Sequence, residues 1–556
     1  MRIKHIKTKI GLKLKYMLYA VFIYTITAMA ILSLNTVAAF AEDTYTIATA
    51  EDLEAFAELV NNGSTAINAV LSEDIDLSNN TSFNPIGNST NNFCGIFDGN
   101  NHKIINLKTI DTTANYIGLF GYIGENGEVK NLTVESGDIT GQQYVGGIAG
   151  YNNYGTIENC SYLGSIIGKS YYVGGIVGYN SYGTVRNCSN SGSISGNNYV
   201  GGITGYNKPT ENGIVENCSN TGKIYGSSYV GGIAGDNDGI VKSCYNNGII
   251  EGSSNSVGGI IGYNNLTVEN CFNLGSVTGS LTNSYNVGGI AGYNRYSDAT
   301  ISNCYNSGSV SGCSQTGGIA GYQYNGSSVN NCYNSGIVSA ANNTYVGGIT
   351  GRGVISCKVN NSYYLKTNEI NANLQVIGNS TGKIASSDAK NEDQFASGEV
   401  TYLLNGSINA NENPWVQTIT KDNLPLLSVF SDSLQVVGFS ETVGGNMLYA
   451  NKVTDGSIEI HNANGNSFDI SIDTSVYGGD NAKYLDSVKV LINDEDSRIV
   501  NNYAYSDTNK QYAQFPVQIE GIPTEGLTVR AEIVAKENFN ANNLLYYITD
   551  ALTIGQ

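Results

Sequence analysis

The stretch Tyr144-Val-Gly-Gly-Ile-Ala-Gly-Tyr-Asn152 decides the fold, because the chain returns to it many times. Further copies and variants begin at Tyr172, Tyr199, Tyr229, Ser256, Asn286, Gln315 and Tyr345, and a looser one spans Tyr116 to Tyr122. A second phrase, Val/Ile-x-Asn-Cys, follows each copy or is replaced by a close variant, as in Ile157-Glu-Asn-Cys160. Self-similarity at a fixed period is the signature of a repeat architecture.

The period predicts the kind of repeat. Between Leu132 and Cys332 the second phrase recurs seven times over 200 residues, a period of about 28 to 29 residues. Each period holds three β-like pieces: the glycine-rich phrase, the Asn-Cys phrase, and a third piece such as Gly192 to Gly196. Three short strands and three corners per period indicate a parallel β-helix. A leucine-rich repeat and a β-propeller match the phrases less well, since the first needs a Leu-x-x-Leu-x-Leu frame and the second needs four strands per blade.

The two glycines of the phrase are expected to form a corner or bulge. Val145 and Ile148 are three residues apart, so strict alternation would place them on opposite faces of a strand. A bend at Gly146-Gly147 would let both side chains point into the core, and glycine makes such bends at little cost.

Ten cysteines in an exported chain would ordinarily indicate disulfides. Here seven of them occupy one repeat position, which Leu107, Leu132 and Ser362 are expected to share in the flanking repeats. A position that accepts Leu, Cys and Ser favours a column of free buried thiols over paired cysteines. The seven are Cys160, Cys188, Cys218, Cys244, Cys271, Cys304 and Cys332.

The N-terminal part contains two predicted segments. Residues 1–41 have a basic start, an apolar run and the Ala39-Phe40-Ala41 cleavage pattern, which indicates a cleaved signal peptide rather than an anchor. No membrane insertion is expected after cleavage. Residues 42–94 form an N-terminal cap with an amphipathic helix from Thr49 to Val60, in which Thr49 is the N-cap.

Three further domains follow. Residues 95–365 are the predicted β-helix, and residues 366–430 read as a closing cap that contains a short helix and Trp415. Residues 431–556 show alternating strands separated by turn residues, which predicts a β-sandwich-like domain. The fold class expected from the whole chain is therefore all-β, a right-handed parallel β-helix with an N-terminal cap and a C-terminal β-sandwich-like domain.

The repeated Val-Gly-Gly-Ile-x-Gly-Tyr-Asn with the following Asn-Cys-Tyr-Asn resembles the GLUG motif of bacterial surface and secreted proteins. The resemblance extends over roughly residues 45–428. It implies a right-handed β-helix on an exported bacterial protein and no single activity, because the motif occurs in adhesin-like proteins and beside catalytic domains. It also occurs beside IgA-specific metallopeptidases, whose His-Glu-x-x-His zinc motif is absent here. The three histidines are His5, His102 and His461.

The negative net charge of the chain disfavours nucleic acid and anionic membranes as binding partners. The formal net charge is -19, with 28 basic and 47 acidic residues, whereas nucleic acid and anionic membranes attract basic surfaces. Before the Asn-Cys phrase, one outward position mixes signs, which predicts charge pairing between coils rather than a catalytic carboxylate cluster. No cofactor is expected, and Ca²⁺ at Asp74/Asp76 or Asn493 to Asp496 stays an alternative to a strand end and a turn. The mixed position holds Glu158, Arg186, Glu216, Lys242, Glu269, Ser302, Asn330 and Asn360.

The trailing tyrosines of the phrase are the candidate ligand-binding stripe, either as a platform for glycan rings or as a structural ladder. The leading hypothesis is an exported, non-catalytic protein that binds glycan or protein at a host or bacterial surface. A β-helix polysaccharide lyase or hydrolase is one alternative, and a spacer that presents the C-terminal domain is another. The stripe consists of Tyr151, Tyr179, Tyr206, Tyr263, Tyr293 and Tyr322.

Overall fold

The computed structural model describes residues 44–208, 213–406, 413–419, 422–431 and 433, and then a set of strands between residues 435 and 553. The predicted signal peptide at residues 1–41 lies outside this part of the chain. Within the described residues, no helix is both long enough and apolar enough to cross a membrane.

The described chain is mostly strand and winds into a parallel β-solenoid of about 12 turns, which confirms the predicted fold class. One coil consists of Gln143–Gly146, Ala149–Asn153, Thr156–Tyr162 and Ser165–Gly168. Every strand pairs in parallel with its equivalent in the next coil, so that Val145 lies opposite Val173 and Ile157 opposite Val185. Repeated sequence thus becomes repeated contact between like side chains.

The coils build three sheets. The tyrosine sheet has 18 strands and carries the glycine-rich phrase. Its strands are Asn115–Ile117, Phe120–Ile123, Gln143–Gly146, Ala149–Asn153, Tyr171–Gly174, Val177–Ser181, Asn198–Gly201, Thr204–Lys208, Ser228–Gly231, Ala234–Asn237, Val257–Gly258, Ile261–Asn264, Tyr285–Gly288, Ala291–Arg295, Ser314–Gly317, Ala320–Tyr324, Val346–Val354 and Gln375–Ser380.

The cysteine sheet has 23 strands and carries the Asn-Cys phrase. Its strands are Tyr45–Ile47, Ala69–Leu71, Ile75–Asp76, Ile96–Asp98, Lys103–Ile105, Glu128–Val134, Thr156–Tyr162, Thr184–Arg186, Ser189–Asn190, Ile214–Glu216, Ser219–Asn220, Ile240–Lys242, Tyr245–Asn246, Thr267–Glu269, Phe272–Asn273, Thr300–Ser302, Tyr305–Asn306, Ser328–Asn330, Tyr333–Asn334, Lys358–Asn360, Tyr363–Leu365, Lys383–Ala385 and Asp388–Lys390.

The third sheet has nine strands and completes the coils. Its strands are Leu107–Ile110, Gly137–Gly141, Ser165–Gly168, Ser193–Ser195, Ile224–Gly226, Ile250–Gly252, Val277–Gly279, Val310–Gly312 and Val338–Ala340.

The glycine pair forms the predicted corner, and both Val145 and Ile148 are fully buried. Glycine is needed there because other chain segments lie very close to it. A Cβ at Gly202 would stand 2.1 Å from the Gly232 carbonyl oxygen and 2.6 Å from the Asn220 side chain. Because Asn220 lies two residues after Cys218 of the Asn-Cys phrase, the packing of the glycine-rich phrase depends on the segment that contains the second phrase.

Two ladders of buried asparagines run along the solenoid. In the cysteine sheet, Asn246 accepts a hydrogen bond from Asn220 Nδ2 and donates one to Asn273 Oδ1, each at 2.7 Å. In the tyrosine sheet, the trailing Asn of the phrase forms a second ladder, with 2.9 Å between Asn237 Nδ2 and Asn264 Oδ1. These side chains are fully buried, so their hydrogen bonds replace those that water would supply.

The seven predicted cysteines lie buried in one column of free thiols, in line with the expected free-thiol column. Ser362 continues the column, since its hydroxyl accepts from the Cys332 backbone N–H at 3.2 Å, and Leu132 precedes Cys160 in register. The expectation for Leu107 is wrong, because this residue begins the third sheet opposite Gly137. The tight turn before Lys103 shifts the register of the first coils.

The N-terminal helix spans Ala50–Asn61, with Thr49 as its N-cap as the sequence predicts, and Asp52 completes a capping box with Thr49. Its buried side chains are the four expected apolar ones, Leu53, Phe56, Ala57 and Val60. The Phe56 ring lies 6.1 Å from that of Phe93 and 5.9 Å from that of Phe97, so the helix packs on the first coils. Strands on either side of it, Tyr45–Ile47 and Ala69–Leu71, already belong to the cysteine sheet.

The strand ladder runs on to Lys390, past the predicted boundary at residue 365, because Gln375–Ser380, Lys383–Ala385 and Asp388–Lys390 pair in parallel with the preceding coil. The chain then forms the short helices Glu392–Ala396 and Glu399–Leu404, the strands Trp415–Val416 and Leu426–Leu427, and a 3-10 turn, Ser428–Phe430. The described residues between 391 and 431, named the flank here, lie along the side of the cysteine sheet against the rings of Phe272, Tyr305 and Tyr333.

Beyond the flank, the described strands form one sheet of seven strands and one of four, and the β-sandwich-like domain stays a prediction. The seven-stranded sheet contains Gln435–Val443, Asn446–Val453, Leu485–Ile492, Asp496–Val500, Thr528–Ala535, Tyr547–Thr549 and Leu552–Thr553. The four-stranded sheet contains Ile458–Asn464, Ser467–Asp473, Ala504–Tyr505 and Tyr512–Gln518.

Candidate functional site

The predicted stripe of trailing tyrosines lies in a single row of the tyrosine sheet. Tyr151, Tyr179 and Tyr206 pair in register, and Tyr263, Tyr293 and Tyr322 do the same. Tyr122 extends the row before Tyr151, with ring centroids 4.6 Å apart. Asp236 takes the tyrosine position between Tyr206 and Tyr263, which divides the row into two parts.

A second row of tyrosines, which the sequence analysis did not select, lies beside the first. It is built by the leading tyrosines of the same phrase, whose successive ring centroids are 4.8 to 5.2 Å apart. Rings of the two rows meet edge to face, as between Tyr172 and Tyr179 at 5.1 Å. Together the two rows are called the tyrosine face. The leading row contains Tyr116, Tyr144, Tyr172, Tyr199 and Tyr229.

The leading tyrosines all adopt left-handed backbone conformations, with φ of +56° at Tyr144 and +63° at Tyr172. Ser256, Asn286 and Gln315 occupy the same position in later coils and have positive φ as well. The coil therefore imposes the conformation whatever the side chain. Such a conformation costs a residue other than glycine on the order of 1–2 kcal/mol, which the ring contacts and the neighbouring coils must offset.

Most of the flat surfaces of these rings are covered by neighbouring rings within the tyrosine face. Tyr116 and Tyr144 stack at an interplanar angle of 7°, and Tyr151 and Tyr179 at 6°. The tyrosines are half-buried, so solvent meets mainly ring edges and hydroxyl groups. The result is a row of phenol groups repeated once per coil, at a spacing of roughly 4.8 Å.

Partial burial alters the ionisation of these phenols. It raises the pKa of Tyr122 and of Tyr199 to about 12, with smaller contributions from neighbouring tyrosines and, at Tyr199, from Asp236. The pKa of Tyr206 is also raised, by burial and by the hydrogen bond that its hydroxyl donates to Asp238. At neutral pH these three phenols are therefore uncharged and offer hydroxyl donors and acceptors.

The raised pKa values predict loss of stability in alkali. An unfolded tyrosine has a pKa of about 10. Between pH 10 and 12 the unfolded chain loses phenolic protons that Tyr122 and Tyr199 keep in the folded chain, so the free energy of unfolding should fall as pH rises through this window. Tyrosinate absorbance and far-ultraviolet circular dichroism, followed together, should change together above pH 10. Complete tyrosine ionisation near pH 10 in a chain that keeps its β signal would contradict the prediction.

The outward charges on the cysteine sheet form the expected row of pairs. Arg186 lies in register between Glu158 and Glu216 and bonds to Glu158 at 2.7 Å. Lys242 follows in the next coil and bonds to Glu216 at 2.8 Å. Each of these two bases thus neutralises a neighbouring carboxylate, as in a structural charge ladder.

The other predicted acidic positions are used by the fold. Asp74 accepts hydrogen bonds from the Lys103 backbone N–H at 2.9 Å and contacts His102 Nδ1 at 3.2 Å. Asp76 ends a strand and accepts from Asn106 Nδ2. Within the described residues, no group of three or more His, Cys, Asp and Glu side chains is arranged to hold a metal ion. Of the segment Asn493 to Asp496, only Asp496 lies among the described residues.

Four segments match the family described as the GLUG motif, at residues 141–167, 169–195, 196–225 and 283–311. In the structure each matched segment forms one coil of the solenoid. The region around Asp236 lies between the third and fourth segments, yet it keeps the same strand register.

Two relatives share short regions with the chain. Halomucin of Haloquadratum walsbyi is 44% identical over 69 residues, which are 12% of this chain and 1% of that protein. A protein of Evansella cellulosilytica named "Putative Gly-rich membrane protein" is 36% identical over 119 residues, 20% of this chain and 13% of that protein. The chain thus matches only a small part of either relative.

A solved structure from Bacteroides ovatus, described as that of a "putative immunoglobulin A1 protease", aligns with 69% of this chain and 92% of its own, at 20% identity and a TM-score of 0.32. The sequence resemblance and the four matched coils agree with each other. The chain therefore carries the GLUG motif at four repeat positions, and these repeats are coils of a parallel β-solenoid.

Proposed function

We propose that this protein acts outside the cell or at its surface and binds a glycan along the tyrosine face, without catalysing a reaction. The observation that carries the proposal is the pair of adjacent tyrosine rows that runs along one sheet of the solenoid. A protein needs no such continuous row for its own core, since the buried Val and Ile side chains already form one.

The arrangement suits an extended polymer. Because the ring faces are stacked on one another, a ligand would meet ring edges and hydroxyl groups instead of flat aromatic faces. Sugars present both C–H groups and hydroxyls, and the phenols can donate to or accept from those hydroxyls. A polymer whose units repeat along its length can make the same contact in successive coils, so that weak contacts add up.

The extracellular location has separate support. The similar segment of the Evansella protein belongs to a chain named for a membrane. The excess of acidic residues disfavours nucleic acid as the partner. The paired charges of the cysteine sheet favour a binding role over polysaccharide cleavage. Arg186 and Lys242 each form an ion pair with a glutamate, so neither these bases nor their glutamates are free to act on a substrate.

Removal of the hydroxyls tests the proposal. Six Tyr→Phe changes at 122, 144, 151, 172, 179 and 199 keep the stacked rings but delete the hydrogen-bonding groups. If the tyrosine face binds glycan, affinity should fall roughly tenfold or more, because each hydrogen bond contributes about 0.5–1.5 kcal/mol. Binding of the full-length protein to an array of purified cell-wall and host glycans, with surface plasmon resonance on the hits, measures this.

A matched control uses Tyr154 and Tyr182. These two rings also stack, at 4.8 Å, but they stand at a different corner of the coil, outside the two rows. Their double Tyr→Phe variant should bind as the unmodified protein does. Equal binding by the six-fold variant, or no glycan binding by the unmodified protein, would refute the proposal.

A further inference from the structure

Asp236 is the one residue that interrupts the trailing row between Tyr122 and Tyr322. Only 8% of its surface is exposed, and its Oδ1 atom is buried without a hydrogen-bond partner. The backbone N–H of Asn237 interacts with the carboxyl group, but an oxygen such as Oδ1 that is taken out of water without a donor costs free energy. A residue held in this state inside a repeated surface suggests that the missing donor comes from outside the chain.

The surroundings of Asp236 favour a positive group. Asp238, two residues later, accepts hydrogen bonds from the Tyr206 hydroxyl and from Asn265 Nδ2. The phenols of Tyr172, Tyr199, Tyr206 and Tyr263 also lie near enough to interact electrostatically with the Asp236 carboxyl. Two acidic side chains among aromatic rings form a partly desolvated site, and aromatic rings attract cations as well.

The basic side chains that lie nearest to Asp236 along the tyrosine rows are those of Lys208 and Arg295, and both contact other groups. Lys208 follows the paired Asn207, and its Nζ lies over the Tyr182 ring at 5.0 Å. Arg295 bonds to the Tyr263 hydroxyl and lies over the Tyr296 ring at 4.4 Å. In the described part of the chain, no ion pair includes Asp236 or Asp238.

We infer that Asp236 and Asp238 form a subsite for the protonated amino group of an amino sugar within the bound glycan. This inference rests on the proposed glycan-binding function and adds a substrate class to it. An ammonium group carries a positive charge and three N–H donors, so it can bond to the Asp236 carboxyl group and still contact Asp238. An N-acetylated amino sugar has no charge and gains much less from this site.

Proton linkage agrees with this assignment. Burial, together with the negative charge of Asp238, raises the pKa of Asp236 well above its usual range. An ammonium ion has the opposite effect, so binding should draw a proton off Asp236. Lowering the pH opposes this proton release from Asp236 and should therefore weaken amine binding.

Matched oligosaccharides test the subsite. The probes are β-1,4-linked glucosamine oligomers and the same oligomers in fully N-acetylated form, titrated calorimetrically into the full-length protein. The unmodified protein should bind the glucosamine form roughly tenfold or more tightly, since a hydrogen bond to a charged group contributes about 1.5–3 kcal/mol. Asp236→Asn should remove that preference and leave binding of the N-acetylated form unchanged.

Asp236→Tyr is the second variant, because it restores the tyrosine that neighbouring coils carry and is compatible with the fold. It should bind the N-acetylated oligomer at least as well as the unmodified protein and show no preference for the amine. Equal binding of the two oligomers by the unmodified protein would overturn the amine subsite and leave the proposed function standing. A preference for the amine that persists in Asp236→Asn would also overturn the subsite. If the unmodified protein binds neither oligomer, both the subsite and this class of glycan ligand are rejected.

Discussion

Replacing Asn246 with alanine should lower the free energy of unfolding by about 4 kcal/mol, because it opens the middle of a buried hydrogen-bond ladder. The Asn246 side chain accepts from Asn220 Nδ2 and donates to Asn273 Oδ1, each at 2.7 Å, and it also donates to the Gly248 carbonyl at 2.9 Å. Alanine would leave these groups in a fully buried site without that partner. Each stranded polar group costs about 1–3 kcal/mol.

Urea unfolding followed by far-ultraviolet circular dichroism measures this effect. Asn247→Ala is the matched control, since Asn247 is the adjacent residue of the same type and its side chain is exposed. The control should unfold at the same urea concentration as the unmodified protein, within error. If Asn246→Ala and Asn247→Ala unfold at the same midpoint, the ladder contributes little to stability and this account of the repeated asparagine is wrong.

The repeat period made the architecture predictable, and a physical constraint explains why. In a parallel solenoid each side chain contacts its own equivalents above and below, so a residue that suits one coil suits the next. Asn246 needs another Asn on each side to complete its hydrogen bonds, and Cys244 needs small neighbours in its column. A sequence under this constraint shows its fold as repetition, which is visible without coordinates.

The backbone of the leading tyrosines was not predictable from residue preferences. Left-handed conformations are usual for glycine, so the sequence analysis assigned the turning role to Gly146 and Gly147. The structure gives the positive φ to Tyr144 instead, and the glycines are needed because the neighbouring coil lies so close. A clue was present: the leading position holds Tyr, Ser, Asn or Gln but never Val or Ile, and β-branched residues strongly avoid positive φ.

The unexpected positive φ of the leading tyrosines also explains why the sequence does not reveal the leading row of the tyrosine face. The recurrence of Tyr-Asn in register points to the trailing tyrosines, whereas the leading tyrosine looks in the sequence like the start of a strand. Only the left-handed conformation at Tyr172 brings its ring beside Tyr179, at 5.1 Å. Asp236 could be read from the sequence as a break in the row, but its missing hydrogen-bond partner depends on how the surrounding rings pack.

The position of the flank follows from a change in one outward column of the cysteine sheet. The residue after the cysteine is Ser161 and Ser189 in early coils and becomes Phe272, Tyr305 and Tyr333 in later ones. These aromatic rings stack at 4.9 to 5.0 Å and are buried, although the column points outward from the coil. The change from serine to aromatic residues therefore indicates in the sequence which coils are covered. Only the tertiary structure shows that the flank covers them.

Trp415 holds the flank against this column, and its replacement by alanine should weaken docking by about 4 kcal/mol. The indole is fully buried, with its ring centroid 5.4 Å from that of Tyr333 and 6.1 Å from that of Tyr305. The Tyr333 hydroxyl also donates to the Pro425 carbonyl oxygen at 2.7 Å, so loss of the indole should loosen both sides of the flank. Trp415→Phe keeps an aromatic ring in place and should cost much less.

Hydrogen exchange with peptide-level mass spectrometry distinguishes local from global loss. A solenoid owes its stability mainly to contacts between neighbouring coils, so most of the ladder should be insensitive to an undocked flank. In Trp415→Ala, amides of residues 391–431 and of the covered Phe272 and Tyr305 strands should exchange faster, while those around Tyr151 should not change. Equal acceleration throughout the chain would mean that flank and coils unfold as one unit, and unchanged exchange in the flank would mean that Trp415 does not hold it.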